Sequence, residues 1–173
     1  MRKVILSAGL SLDGYIARPN GAVDFLFMPE DYSMADLFAG IDTVVFGRKT
    51  LDVAQPMGGA PQGAWMTYVF SRSEAPGSRG GVVFVNDSPS DFVARLRQDP
   101  GKNILHMGGG ELAREFLRAD LIDELQLGIV PMLLGEGIPL FPSGFPQRNF
   151  NLIENNTYSR GLISLKYQRV GTP

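Results

Sequence analysis

ILHMGGGELAREFL, residues 104–117, runs from an apolar stretch through three consecutive glycines into an acidic-apolar helical pattern. Glycine loses more backbone entropy on folding than any other residue, so each one at a strand-to-helix junction is costly. One would serve a turn. Three suggest that a guest approaches the backbone closely, and phosphate is the usual guest of such a loop. The plainer alternative is that the glycines only permit close packing of helix on strand. GGGELA also satisfies the dinucleotide fingerprint G-x-G-x-x-A in form. Its late place in the chain leaves little room for the βαβαβ unit it should open, and the apolar IVPMLL stands where an acidic residue is due.

On either side of this junction the chain alternates strand and helix signals. Residues 4–10, 41–47, 65–72, 81–86, 102–107 and 123–131 read as six strands, and 48–55, 88–98 and 110–120 as helices. Residues 17–28 read as a long loop. A further helix is expected from Pro29, with Glu30 and Asp31 beside its N-terminus, Met34, Leu37 and Phe38 as its stripe and Gly40 as its stop. The stretch 56–63, PMGGAPQG, is expected to be a loop, and 149–170 a hairpin. Strands alternating with helices imply a mostly parallel sheet covered on both faces, with the hairpin adding antiparallel pairing at one edge. No linker or repeat divides residues 1–173, so a single α/β domain is expected.

Composition removes several functions. The chain has no Cys and a single His, which excludes disulfides, thiol catalysis and multi-histidine metal sites. Its formal net charge is −2 and its basic residues are scattered, so a nucleic-acid partner is not expected. The apolar run near the start breaks at Gly9 and meets Asp13, too short and polar for a signal peptide or membrane span. The expectation is a cytoplasmic protein without a membrane partner.

Three strand ends carry phosphate-friendly residues: GRKT at 47–50, SRS at 71–73 and GGGEL at 108–112. In a parallel sheet the carboxyl ends line one rim, where ligands bind. Two arginines and two helix starts on one rim describe a site for an extended polyanion.

Taken in order, ILSAGLSLDGYIA, VVFGRKT, VFSRS, ILHMGGGEL and DELQLGIVPMLLGEGIPLF resemble the dihydrofolate-reductase-like family over nearly the whole chain. The resemblance is strongest to the branch related to the C-terminal reductase domain of bifunctional riboflavin-biosynthesis deaminase/reductases. It implies a three-layer fold and an NADPH site. Gly47, Arg48 and Thr50 match the segment that receives phosphates, and Ser71 and Arg72 match the pair that grips the 2′-phosphate. Gly108, Gly109, Gly110, Glu111 and Leu112 match the turn beneath the pyrophosphate, and Ala8 and Ile16 match contacts near the nicotinamide. Family members with this ending are commonly homodimers, and the apolar IVPMLLGEGIPLF and the hairpin would give such a dimer its surface.

The substrate side is less defined. Asp13 and Asp24 are the carboxylates available as proton donor. An Asx turn is the alternative for Asp13, in SLDG. Asp24 lies among Val23, Phe25, Leu26 and Phe27, where burial would raise its pKa; helix capping is its alternative role. His106, in an apolar strand, is expected to be a hydrogen-bonded core residue rather than a catalyst, and Trp65 either stacks on a substrate or packs. Folate-reducing members carry an acid inside the first helix, which neither Asp31 nor Asp36 matches convincingly. Riboflavin-pathway reductases carry an Asp four residues after the Thr of the phosphate segment, where this chain has Ala54. An NADPH-dependent reductase of an unidentified small molecule is therefore the expected function. A nucleotide- or pterin-binding module without turnover, and a flavin- or pterin-binding interaction protein, are the alternatives.

Overall fold

Val4, Ile5 and Leu6 are all buried, as a strand covered on both faces requires. They belong to β1 (Val4–Leu10), the middle of a sheet seen in a computed structural model that describes residues 1–55 and 63–171. The glycine- and proline-rich loop expected at 56–63 lies outside the described residues except for Gly63. The other strands of the sheet are β3 (Ile41–Gly47), β4 (Met66–Phe70), β5 (Gly77–Arg79), β6 (Val82–Val85), β7 (Asn103–His106), β8 (Glu124–Ile129), β10 (Phe150–Thr157) and β11 (Ile163–Arg169). Their order is β10-β11-β8-β1-β7-β3-β4-β6-β5. From β8 to β6 neighbouring strands run parallel; β10, β11 and β5 are antiparallel.

Period-two alternation divides the core into two layers. Val4, Leu6, Val45 and Ile104 point to one face, where they meet Phe92 and Val93 of α3 (Pro89–Gln98) and Ala113, Phe116 and Leu117 of α4 (Gly110–Arg118). Ile5, Val44, Phe46 and Leu105 point to the other, against Leu51 of α2 (Arg48–Ala54) and the partly buried Leu37 and Phe38 of α1 (Ala35–Ala39). Phe92 and Phe116 are fully buried, each side chain contributing about 1.5–3 kcal/mol by leaving water. Helices on both faces of a mostly parallel sheet, with a terminal hairpin, make the expected three-layer α/β fold.

Three elements differ from the sequence reading. The helix expected from Pro29 begins only at Ala35, because Asp31 serves another purpose: its carboxylate accepts from the Ser159 backbone N–H at 2.8 Å and hydroxyl at 2.7 Å. With Tyr32 edge-on to Tyr158 and Arg160 over the Phe27 ring, this ties the 18–34 segment to the β10–β11 turn. A two-stranded ribbon of β2 (Tyr15–Ala17) and β9 (Ile138–Pro139) arises inside stretches that lack a strand signal. β5 is the third, a short edge strand with too few apolar residues to show alternation.

Candidate active site at the carboxyl rim

The carboxyl ends of β4, β3, β7, β1 and β8 lie side by side on one rim, which gathers the segments singled out in the sequence. The three glycines have three separate reasons. Gly108 has φ +69°, and a Cβ there would face open space. Gly109 has φ +89°, and its Cβ would crowd Thr50 Oγ1 of α2 at 2.9 Å. Gly110 packs so closely beneath the segment after β9 that a Cβ would collide with the Pro139 carbonyl oxygen. Close packing thus accounts for two of them. Gly108 is the one whose missing side chain leaves room for a guest.

Helix α4 starts at this turn with Gly109 as its N-cap and no side chain capping it. A helix of nine residues leaves its first backbone N–H groups without intrahelical acceptors, so they present donors and a partial positive charge at the rim. Glu111 and Leu112 form that first turn. α2 is only seven residues long, so its contribution is side chains rather than a helix terminus. Arg48 pairs with Asp52 at 2.7 Å and Lys49 with Glu111 at 3.7 Å; Asp52, Lys49 and Glu111 are mostly in water and Arg48 is 41% exposed. Such exposed pairs contribute little, so exchanging a carboxylate for a ligand phosphate is cheap.

Ser71 and Arg72 follow β4. Ser71 is buried, and its hydroxyl oxygen accepts from the Glu74 backbone N–H at 3.0 Å, which shapes the turn. Arg72 is exposed on that turn and has no hydrogen-bond or ion-pair partner among the described residues. Ala8 and Ile16 sit partly buried on the far side of the glycine turn, on β1 and β2.

Both candidate acids are held ionised. The Ser11 hydroxyl donates to Asp13 at 2.6 Å, and the N–H groups of Leu134 and Gly135 donate at 3.1 and 2.8 Å. These bonds stabilise the carboxylate and lower its pKa to about 2. Instead of an Asx turn, Asp13 latches the turn after β1 to the LLGEG stretch. Asp24 requires a correction. It is not buried among its aromatic neighbours: its side chain is 61% exposed and caps no helix, and Arg18 grips it through two bonds of 2.6 and 2.9 Å. The hydrogen bond from Arg18 lowers its pKa, the opposite of the expected rise. An open cleft of about 320 Å³ beside this pair is lined by Arg18, Pro19, Asn20, Leu134 and Glu136.

His106 is fully buried, as expected, but among the described residues neither ring nitrogen has a hydrogen-bond partner. It stands edge-on to Phe116, and burial pushes its pKa down to about 4. Trp65 packs, stacked on Phe38 with centroids 4.9 Å apart. The bonds from the Leu134 and Gly135 N–H groups to Asp13 had no sequence signal, because partners more than one hundred residues apart share no local pattern.

A family model described as RibD C-terminal domain matches residues 2–164. The uncharacterized protein YyaP of Bacillus subtilis is 34% identical over 178 residues, covering 96% of this chain and 94% of that protein. The crystal structure of a putative riboflavin biosynthesis protein from Shewanella sp. PV-4 superposes with a TM-score of 0.86 at 30% identity, covering 98% of this chain and 99% of that one. A diaminohydroxyphosphoribosylaminopyrimidine deaminase/5-amino-6-(5-phosphoribosylamino)uracil reductase from Thermotoga maritima shares the fold, with a TM-score of 0.76 at 16% identity. It covers 98% of this chain, which spans 57% of that one.

Proposed function

The chain belongs to the RibD C-terminal domain family, a reductase family, and from that premise we propose that it is an NADPH-dependent reductase of a small pyrimidine- or pterin-like molecule. The observation that carries this reading is the pairing, on one rim, of an uncapped glycine-led helix start with an arginine, Arg72, that has no partner among the described residues. The residues suit the cofactor. Gly108 leaves space beside the N–H groups of α4 for a pyrophosphate, and Arg48, Thr50 and Lys49 flank it. Arg72 offers a planar fork to the 2′-phosphate, a task that suits guanidinium better than ammonium. When bound, NADPH supplies a hydride.

From β4 through β3 and β7 to β1 the rim crosses three inter-strand gaps, ~14 Å in all, a span suited to a dinucleotide rather than a mononucleotide. In this reading the nicotinamide end lies over β1, beside Ala8 and Ile16. Asp13 then acts as a positioning residue, fixing the loop that follows β8. The test is thermal shift with each cofactor at equal concentration, since a ligand stabilises the native state by RT ln(1 + [L]/Kd). NADPH is expected to raise Tm more than NADH; equal shifts would contradict the 2′-phosphate assignment.

A symmetric homodimer is part of the same reading. β10 is an edge strand exposed along nearly its whole length, with Leu152 and Ile153 in water, and a second copy would cover it. Among the described residues no helix is long and apolar enough to cross a membrane.

A further inference from the structure

If phosphates lie at β4, β3 and β7, the substrate must meet the segments that rise from β1 and β8, residues 11–34 and 130–142. Their chemistry is unlike the rest of the rim. Arg18 is their one cation, against the carboxylates of Asp13, Asp24, Glu30, Asp31 and Glu136. Arg18 is already forked by Asp24, and the open cleft it lines also carries Glu136. Pro19 and Leu134 give that cleft its apolar lining, and Leu12, Met132 and Leu133 of the same two segments are exposed. Arg160, on the neighbouring hairpin turn, lies over the Phe27 ring at 4.0 Å.

We propose that the substrate is an uncharged heterocycle bearing no phosphate, and that Asp24 sets this preference by occupying the Arg18 guanidinium. The inference rests on the NADPH-reductase reading and deepens it. The Arg18–Asp24 pair is exposed and exchanges as readily as Arg48–Asp52, but with Glu136 in the same lining a phosphate dianion meets an excess of carboxylate whichever partner holds Arg18. A neutral ring meets no such repulsion and can rest on the apolar lining of Pro19 and Leu134. The Thermotoga maritima protein, whose name carries a phosphoribosylamino group, would differ from this chain at that point.

The test uses the NADPH-loaded protein and two matched pairs of probes: 5-amino-6-ribosylaminouracil and dihydroneopterin, each with and without a phosphate. Binding is read by thermal shift and turnover by NADPH oxidation. The neutral member of at least one pair is expected to bind about tenfold tighter or more than its phosphate. Asp24→Asn frees Arg18 and should bring that pair to within about threefold, and adding Arg18→Gln should restore the preference. Equal or tighter binding of the phosphates by the native protein would overturn the inference. So would a preference that Asp24→Asn leaves unmoved, or failure of every probe on protein that binds NADPH. NADPH titration without probe reads the cofactor assignment separately, and failure there removes both.

Discussion

The two rims of the sheet both carry charged groups and use them differently. At the amino ends the side-chain cations Arg2, Lys3, Arg97 and Arg169 are all committed. Arg2 bonds the Lys102 carbonyl at 2.8 Å and the Leu96 carbonyl at 3.1 Å, and pairs with Asp42 and Thr43. Lys3 pairs with Glu124 at 2.5 Å. Asp123 gathers Arg97 at 2.7 Å, Arg169 at 3.3 Å and the Val4 backbone N–H at 2.8 Å. These groups are mostly shielded from water and join β1, β3, β8, α3 and β11. At the carboxyl ends the pairs of Arg48 and Lys49 are exposed, and Arg72 has no partner among the described residues. Charge that is buried and saturated holds the sheet together; charge left loose on glycine-led turns is available to a ligand.

The sharpest way to break this contrast is to exchange the two rims' predicted phenotypes. Arg2→Ala removes the cation facing Asp42 and a donor from Thr43 and two carbonyls. It should cost roughly 3–4 kcal/mol of stability, near the low end for breaking a buried pair because Asp42 keeps part of its side chain in water. Urea denaturation checks the loss, and NADPH affinity of the folded variant should be unchanged. A large loss of affinity with intact stability would mean the amino rim is not structural.

Between the rims lies His106, directly before the glycine turn. Its folded pKa of about 4 lies below the ordinary 6.5, so the unfolded chain takes up a proton over a range where the native protein does not. Stability from this residue is complete above pH 6.5 and falls as pH drops towards 4, by about 3 kcal/mol in all. His106→Phe keeps an aromatic ring against Phe116 and removes two unsatisfied nitrogens. Its urea midpoint should match or exceed the native one at pH 7 and vary less between pH 6.5 and 4. An unchanged pH profile would show that the ring finds a proton partner in solution.

How much of this was legible in the sequence follows the same division. The glycine turn, GRKT and SRS are local strings, and each lies at the end of a strand whose apolar run is unmistakable. Sheet order then brings them together. Asp24 shows the opposite case: its aromatic neighbours suggested burial, and Phe25 is indeed buried with Val130 and Leu162 while Leu26 and Phe27 pack partly against them, but Asp24 itself points to water. A loop has no fixed period from which to read which side chain is inside. The latch from Asp13 to Leu134 and Gly135 and the bond from Ser159 to Asp31 are likewise products of tertiary structure. The three glycines were legible as a cluster, while their separate purposes were not, because Thr50 and Pro139 are distant in sequence.

Arg72 is where the account is most exposed. If its guanidinium binds the 2′-phosphate, Arg72→Ala loses charge-assisted bonds of roughly 1.5–3 kcal/mol, weakening NADPH binding about ten- to a hundredfold. Arg72→Lys should recover part of that, keeping charge without the planar fork. NADH affinity and the urea midpoint should hardly move, because the side chain has no partner among the described residues. Titrating the native protein and both variants with NADPH and NADH at fixed ionic strength is the direct measurement. A selective loss for NADPH is the predicted result; equal losses for both cofactors, or none for either, would contradict it.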